Sequence, residues 1–268
     1  MKIDRVSAIR RYVFSKTAAS IHEIAEAVGA SLPTVRRDLL ALEAEGAIER
    51  THGGARIADG AATEAEFEVR EQTHIAAKRS IGEAAYSLIR PETTIFLDAG
   101  TTVLQVARHI RLKPTPLSVF TNCLPVAQQL AGLRDVSVTV LGGRLRARNA
   151  SLLGPFAGAM LDRLWFDHLF LGVSAIGEDG CAYTPDEDEA QLNAKMVSRS
   201  ARTTVLADSS KFGRRATYRV VTLDRHVDLI SDDRLSPVWL ERLEKAGCRV
   251  LVAAAKDFAA AGDREGDE

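Results

Sequence analysis

Two stretches of this sequence carry residues suited to binding anions, and they lie far apart in the chain. The first is "TVRRDLLALEAEGAIERTHGGARI", residues 34–57, where Arg36 and Arg37 stand side by side and His52-Gly53-Gly54 follows a Leu/Ala-rich run. Arginine pairs with guanine O6 and N7 in bidentate fashion, or with a phosphate. The second is "TIFLDAGTTVLQVARHI", residues 94–110, where Asp98, Gly100, Thr101 and Thr102 separate a strand-like run from a helix-like one. Glycine there lets backbone come close to a ligand, while two hydroxyls and unpaired helix amides attract an anion such as phosphate. Each stretch has a plainer alternative: a surface arginine pair salt-bridged to Asp38, and a threonine that only caps its helix.

The elements around Arg36 and Arg37 favour nucleic acid. Ile9, Val13 and Phe14 form one apolar helical stripe. "SIHEIAEAVG" predicts a short helix with Ser20 as N-cap, Glu23 at the capping-box position and Gly29 as its end. A third helix is expected from Ser31 to Gly46, with Pro33 in its first turn and Leu32, Val35, Leu39 and Leu42 inward. Two helices joined by a tight "GAS" turn make a helix-turn-helix, and "AIERTHGGARI" predicts a β-wing whose tight turn is made by Gly53-Gly54. The second helix of such a unit enters the major groove N-terminus first, so Ser31, Thr34, Arg36 and Arg37 would face double-stranded DNA. Arg50 and His52 on the wing would reach flanking backbone or the minor groove. Spacing leaves open which arginine reads a base and which holds a phosphate.

Residues 59–74 show no strong core pattern and read as a linker with an irregular or partly helical arm. Residues 75–257 alternate strands and helices, the pattern of an α/β domain with an open, mostly parallel sheet. Strands are expected at 94–99, 117–122, 136–142, 168–174, 203–208, 226–231 and 248–253. Helices are expected near 75–89, 102–110, 124–132, 187–200 and 236–246. Residues 258–268 read as a frayed tail, which leaves 1–58 as the winged helix-turn-helix domain.

In an open parallel sheet the carboxyl ends of strands converge on a ligand crevice. That rule groups Asp98, Gly100, Thr101, Thr102, Asn122, Gly143, Asp208 and Lys211 as effector-binding candidates. Lys211 would neutralise a phosphate or carboxylate, and Asp98 would accept sugar hydroxyls; the alternative for Lys211 is an exposed loop lysine. Glu189 and Lys195 near "DEDEAQLNAKMV" are weaker candidates, with a solvated acidic face as the alternative. Neither a Walker A loop nor a dinucleotide fingerprint is present, so no cofactor and no metal are expected.

Composition sets outer bounds. The chain has 268 residues, 46% hydrophobic and 26% charged, enough for two ordinary domains. Net charge is -1, divided as +2 over residues 1–58 and -3 over the rest, an asymmetry too mild to argue for nucleic acid by itself. No run reaches 18 apolar residues and the first twenty carry Lys2, Asp4, Arg5, Arg10, Arg11 and Lys16. A membrane span and a secretory signal are therefore not expected. Cys123, Cys181 and Cys248 read as reduced core residues of a cytoplasmic protein.

"IHEIAEAVGASLPTVRRDLLALEAEGAIERTHGGA" resembles the N-terminal region of the DeoR family of bacterial transcriptional regulators, with Thr34-Val35-Arg36-Arg37-Asp38-Leu39 and Arg50-Thr51-His52-Gly53-Gly54-Ala55 as matching motifs. The downstream pieces Asp98-Ala99-Gly100-Thr101-Thr102, Thr121-Asn122, Gly142-Gly143, "FDHLFLGVSAIGEDG" and Asp208-Ser209-Ser210-Lys211-Phe212-Gly213 resemble that family's C-terminal sensor domain. The resemblance implies a fold related to sugar-phosphate isomerases, a phosphorylated sugar or polyol as effector, and a repressor role in carbohydrate catabolism. A rival reading is a sugar-phosphate isomerase with an accessory DNA-binding domain, using Asp98, Asp208 and Lys211 for proton transfer and oxyanion stabilisation. A third is a DNA-binding scaffold with a ligand-dead sheet domain. Binding without catalysis, in a homodimer or higher homo-oligomer, is the leading expectation.

Overall fold

The computed structural model describes residues 2–16, 18–58 and 61–254. The expected tail at 258–268 lies outside the described residues. The chain divides into two compact units, residues 1–73 with 147–150, and residues 74–146 with 151 onward.

The first unit contains α1 (Lys2–Lys16), β1 (Ala18–Ser20), α2 (Ile21–Val28), α3 (Leu32–Ala44), β2 (Ile48–Thr51), β3 (Gly54–Ile57) and α4 (Ala61–Gln72). Ile9, Val13, Ile24, Val35, Leu39, Leu42 and Ile48 form its buried centre. Apolar residues at helical spacing on three short helices leave one shared stripe to bury, and that stripe makes this core. α2 starts as its sequence dictates: the Glu23 amide donates to Ser20 Oγ at 3.2 Å and the Ser20 amide donates to the Glu23 carboxylate at 2.8 Å. Gly29 ends it in the left-handed region at φ 60°.

Two local expectations need correction. Ser31 holds the N-cap position of α3 but makes no side-chain cap bond; its hydroxyl lies 2.9 Å from that of Thr34. The wing turn is His52-Gly53, and Gly54 already belongs to β3. β3 pairs on its other side with the short β1, in sheet order β1-β3-β2, and a Cβ on Gly54 would stand 2.2 Å from the Ala19 carbonyl oxygen. Gly54 is therefore required by strand approach rather than by the turn. The stretch expected as a linker with an irregular or partly helical arm carries α4, which packs on α1.

The second unit opens with α5 (Ile75–Tyr86), β4 (Thr93–Leu97), α6 (Val103–Leu112), β5 (Leu117–Thr121), α7 (Leu124–Leu130) and β6 (Val136–Val140). Next come β7 (Arg144–Arg146), β8 (Ser151–Leu153), α8 (Pro155–Leu161), β9 (His168–Gly172), β10 (Ala175–Ile176), β11 (Cys181–Thr184) and α9 (Glu187–Ser198). It closes with β12 (Thr203–Leu206), β13 (Tyr218–Thr222), β14 (Val227–Asp232), α10 (Pro237–Lys245) and β15 (Val250–Ala253). All seven strands expected from the sequence join one parallel sheet in the order β15-β14-β12-β9-β4-β5-β6. Helices cover both faces of such a sheet, which is why its strands read as continuous Val/Ile/Leu runs. Phe96 and Phe166 meet edge to face at 5.0 Å in its centre.

The sheet runs outward from β4 in both directions. β4 leads to β5 and β6 on one side, and after β9 the chain builds β12, β14 and β15 on the other. The reversal makes the carboxyl ends of β4 and β9 the topological switch point, the place where open parallel sheets bind ligands. Sequence periodicity does not reveal the β7–β8 hairpin, the three-stranded β10-β11-β13 sheet or α8, because these elements are short and carry little alternation.

Candidate functional site

In the first unit, Arg36 and Arg37 are exposed on the first turns of α3, while Val35, Leu39 and Leu42 face the core and Leu32 is half-buried. The plainer alternative for the pair does not hold. Asp38 is buried and receives Arg5 Nε at 2.7 Å, so its carboxylate joins α1 to α3. Among the described residues neither Arg36 nor Arg37 has an ion-pair partner. Their side chains are left for something outside the chain, and an always-charged guanidinium with nothing to pair is suited to phosphate or base edges. Thr34 and Ser31 stand at the same helix end. On the wing, Arg50 is drawn toward α3 by Glu43, 3.8 Å from its guanidinium, and His52 is exposed at the turn. The wing tip is fixed to α2 by the Ile21 amide, which donates to the Gly53 carbonyl at 2.8 Å.

In the second unit, the switch point collects the first half of the effector candidates. Asp98, at the end of β4, accepts the Gly172 amide at 3.1 Å across the gap to β9, and is also bonded by the Ala99 amide and the Asn122 side chain. Gly100 faces Gly172, with 3.8 Å from its would-be Cβ to the Gly172 Cα, so two backbones approach at the switch point. Thr101 and Thr102 are almost buried at the start of α6. Thr102 is the N-cap residue in helical conformation and makes no side-chain cap bond, so capping does not consume its hydroxyl. Asn122 is 1% exposed and its Oδ1 has no partner among the described residues. A buried amide oxygen without a donor costs free energy unless a ligand or water supplies one.

The second half is not gathered at this point. Asp208 and Lys211 follow β12, two strands from β4, and Gly143 follows β6, two strands away on the other side. At about 4.8 Å per strand, one small ligand cannot reach from Gly143 to Asp208, although β12 lies next to β9 and Asp208 Oδ2 is buried without a partner among the described residues. Asp208 uses Oδ1 on the Ser210 amide at 3.1 Å and on the Ser210 hydroxyl, holding a 3-10 turn. Gly143, at φ 145°, has a structural reason of its own: a Cβ there would lie 2.5 Å from the Leu153 carbonyl oxygen. Lys195 also points elsewhere, to Asp162 at 2.8 Å and the Gly158 carbonyl at 3.1 Å. Glu189, by contrast, sits close enough to Asp98 to raise its pKa by repulsion.

Residues 5–61 match the DeoR-like helix-turn-helix domain, and residues 73–233 match the DeoR C-terminal sensor domain. The chain belongs to the DeoR family. It is 35% identical to the HTH-type transcriptional regulator GlpR of Haloferax volcanii, over 94% of this chain and 98% of that protein. The HTH-type transcriptional repressor GlcR of Bacillus subtilis is 30% identical over 93% of this chain and 95% of its own length. Similarity to the lactose phosphotransferase system repressor of Staphylococcus epidermidis is 34% over 80% of this chain and 85% of that one. Ribose 5-phosphate isomerase A from Methanocaldococcus jannaschii superposes with TM-score 0.37 and 16% identity, over 50% of this chain and 53% of that one, too slight a likeness to carry an argument.

This DeoR-family chain is thus a DNA-binding transcriptional regulator with a parallel-sheet sensor domain. No helix among the described residues is long and apolar enough to cross a membrane. Its three cysteines are free and buried, and burial pushes the Cys123 thiol up to about 12. The sequence reading named Glu189 as a weaker candidate and did not name Arg146, whose Nη1 lies 3.4 Å from the Glu189 carboxylate. No motif marks that pair: Arg146 ends a three-residue strand, and only the hairpin turns it toward α9.

Asp98 has a measurable consequence. Burial, then repulsion from Glu189, raises its pKa from 3.8 to about 8. A folded state that keeps this proton binds more protons than the unfolded chain between about pH 4 and pH 8, so this residue's contribution to stability falls as pH rises through that window. Asp98→Asn removes the titration. The parent-minus-variant difference in unfolding free energy is expected to become more unfavourable to the parent from pH 4 to pH 8 by a few kcal/mol, at about 1.4 kcal/mol per pH unit where the two states differ by a full proton. Urea unfolding across that range checks it; a pH-independent difference contradicts the buried, protonated carboxyl.

Proposed function

We propose that this regulator is a repressor of carbohydrate or polyol catabolism genes, released from its operator by a phosphorylated sugar or polyol. One observation carries the reading: the Gly100-Thr101-Thr102 turn opens α6 at the switch point, beside the buried Asp98, whose pKa burial raises, and the unpartnered Asn122 oxygen. Helix amides and two hydroxyls suit a phosphate. Asp98, holding its proton, donates to a sugar oxygen without repelling that phosphate, and Asn122 accepts from a hydroxyl. The names of two relatives, a lactose phosphotransferase system repressor and a transcriptional repressor, support the repressor direction. The test is thermal stabilisation by phosphorylated sugars and polyols set beside their unphosphorylated counterparts, together with binding to DNA upstream of the chain's own gene. Equal stabilisation by both members of every pair would reject a phosphate site.

A second reading is favoured by the Asp98–Glu189 pair. A buried carboxyl whose pKa is raised beside a second carboxylate is the disposition of a proton-transfer site. Isomerisation would show as aldose–ketose interconversion of a phosphosugar incubated with the purified chain, abolished by Glu189→Gln. Binding without turnover is the proposal, since a sensor needs no catalytic base.

Assembly is proposed to be at least dimeric. One winged helix offers a small interface, whereas two read a symmetric operator about one helical turn apart or a multiple of it. Sedimentation at micromolar concentration is expected to show a dimer or tetramer; a monomer alone, with and without operator, contradicts this.

A further inference from the structure

We propose that Arg146 is the ligand-responsive residue of the sensor site: a bound anionic group takes its guanidinium away from Glu189 and Asp186, and so re-sets the hairpin on which it stands. The proposal rests on reading the switch point as the effector site.

Arg146 is the last residue of β7, one peptide bond before the turn at 147–149. Its Nε lies 3.4 Å from Asp186 and its Nη1 3.4 Å from Glu189. Tight charge-assisted bonds run at about 2.7–2.9 Å, so both contacts are loose. The side chain is 19% exposed and reachable from water. Glu189 has a donor besides Arg146 in the Thr184 hydroxyl, and Asp186 accepts the Glu189 amide at 2.9 Å as N-cap of α9. Neither carboxylate is orphaned when the arginine leaves. Glu189 is close enough to Asp98 to act on its charge, so a phosphate at the adjoining turn meets the same carboxylate as a repelling neighbour, and the cation paired with Glu189 offsets it.

The hairpin that carries Arg146 is fixed to the site at its returning strand. The Leu152 amide donates to the Asn122 carbonyl at 2.7 Å, and Ser151 bridges Cys123. Its outgoing strand starts at Gly143, whose backbone only glycine fits. Between the two strands, residues 147–150 group with the first unit, where Arg70 donates to the Arg148 carbonyl at 2.6 Å. Arg146 thus reaches α9 with its side chain, and the next residue, Ala147, is grouped with the first unit. A ligand shifts operator affinity only through different affinities for two arrangements, and Arg146 on α9 or on the ligand supplies two.

The test uses the full chain with inorganic phosphate as probe, read by calorimetry and by operator affinity with and without phosphate. Arg146→Ala is expected to weaken phosphate binding about tenfold or more and to remove its effect on operator affinity. Glu189→Gln removes the competitor and is expected to bind phosphate more tightly than the parent, a gain expected to vanish when Arg146→Ala is added, which the loss of a repelling charge alone does not produce. Should Arg146→Ala fail to fold, Glu189→Gln decides, since unchanged or weaker phosphate affinity overturns the proposal. Thr101→Ala with Thr102→Ala separates the two levels. Loss of phosphate there but not in Arg146→Ala overturns the role of Arg146 and leaves the site standing. Retention of phosphate there overturns the site, and the role of Arg146 with it.

Discussion

Alanine at Arg36 or Arg37 is expected to weaken operator binding while leaving the thermal unfolding of the chain unchanged. The second half follows from the structure: both side chains are exposed, and among the described residues neither is paired, so truncation leaves no buried partner behind. The neighbouring acid is already held by Arg5 at 2.7 Å and does not depend on them. The first half divides by role. An arginine bidentate to guanine is expected to cost about 1–3 kcal/mol and to relax discrimination at one base pair. An arginine on phosphate is expected to weaken operator and scrambled DNA alike and to lower the salt slope by about one. Anisotropy titrations of both variants on both DNAs, at several salt concentrations, distinguish these outcomes. If both variants bind operator as tightly as the parent, α3 is not the helix that enters the groove.

The second large effect is expected at the other end of the signal. Thr101→Ala combined with Thr102→Ala is expected to abolish the response to a phosphorylated effector while operator binding persists. Two hydroxyls at the start of α6 are lost, and the helix keeps its start, because Thr102 makes no side-chain cap bond and the Leu104 amide is held by the Gly100 carbonyl at 2.9 Å. Hydrogen bonds to a charged phosphate contribute about 1.5–3 kcal/mol each, so losing two is expected to weaken the effector by two orders of magnitude or more. The helix-turn-helix is untouched by the change. Linkage then requires that an effector which no longer binds cannot shift DNA affinity. The measurement is operator affinity with and without effector at saturation for the parent, in both proteins. A double variant that responds as the parent does would place the sensor site elsewhere on the sheet rim.

The sequence by itself determined the local units of this protein. Ser20, Glu23 and Gly29 bound α2 because capping chemistry needs only residues within one turn of each other. The seven parallel strands were legible because each is a strand-length run, rich in apolar residues, between turn residues, and the Asp98–Thr102 turn because it lies between one such strand and a helix. Arg37 was placed on the outer face, and Arg36 on its flank, by helical period alone. What lies between elements was decided by the tertiary structure. Asp38 was open to a bond with its neighbouring arginines, yet it pairs with Arg5, 33 residues away, because α1 crosses α3 there. Gly54 answers to a strand, β1, that is too short to announce itself. Asp98, Asn122 and Gly172 converge because the strand order reverses at β4, whereas Asp208, Lys211 and Gly143, equally polar and equally at strand ends, were carried two strands away by the same crossovers. Periodicity encodes which face of an element is buried; the order in which crossovers lay strands side by side is a property of the whole chain's packing, and that order chose which polar strand ends became one site.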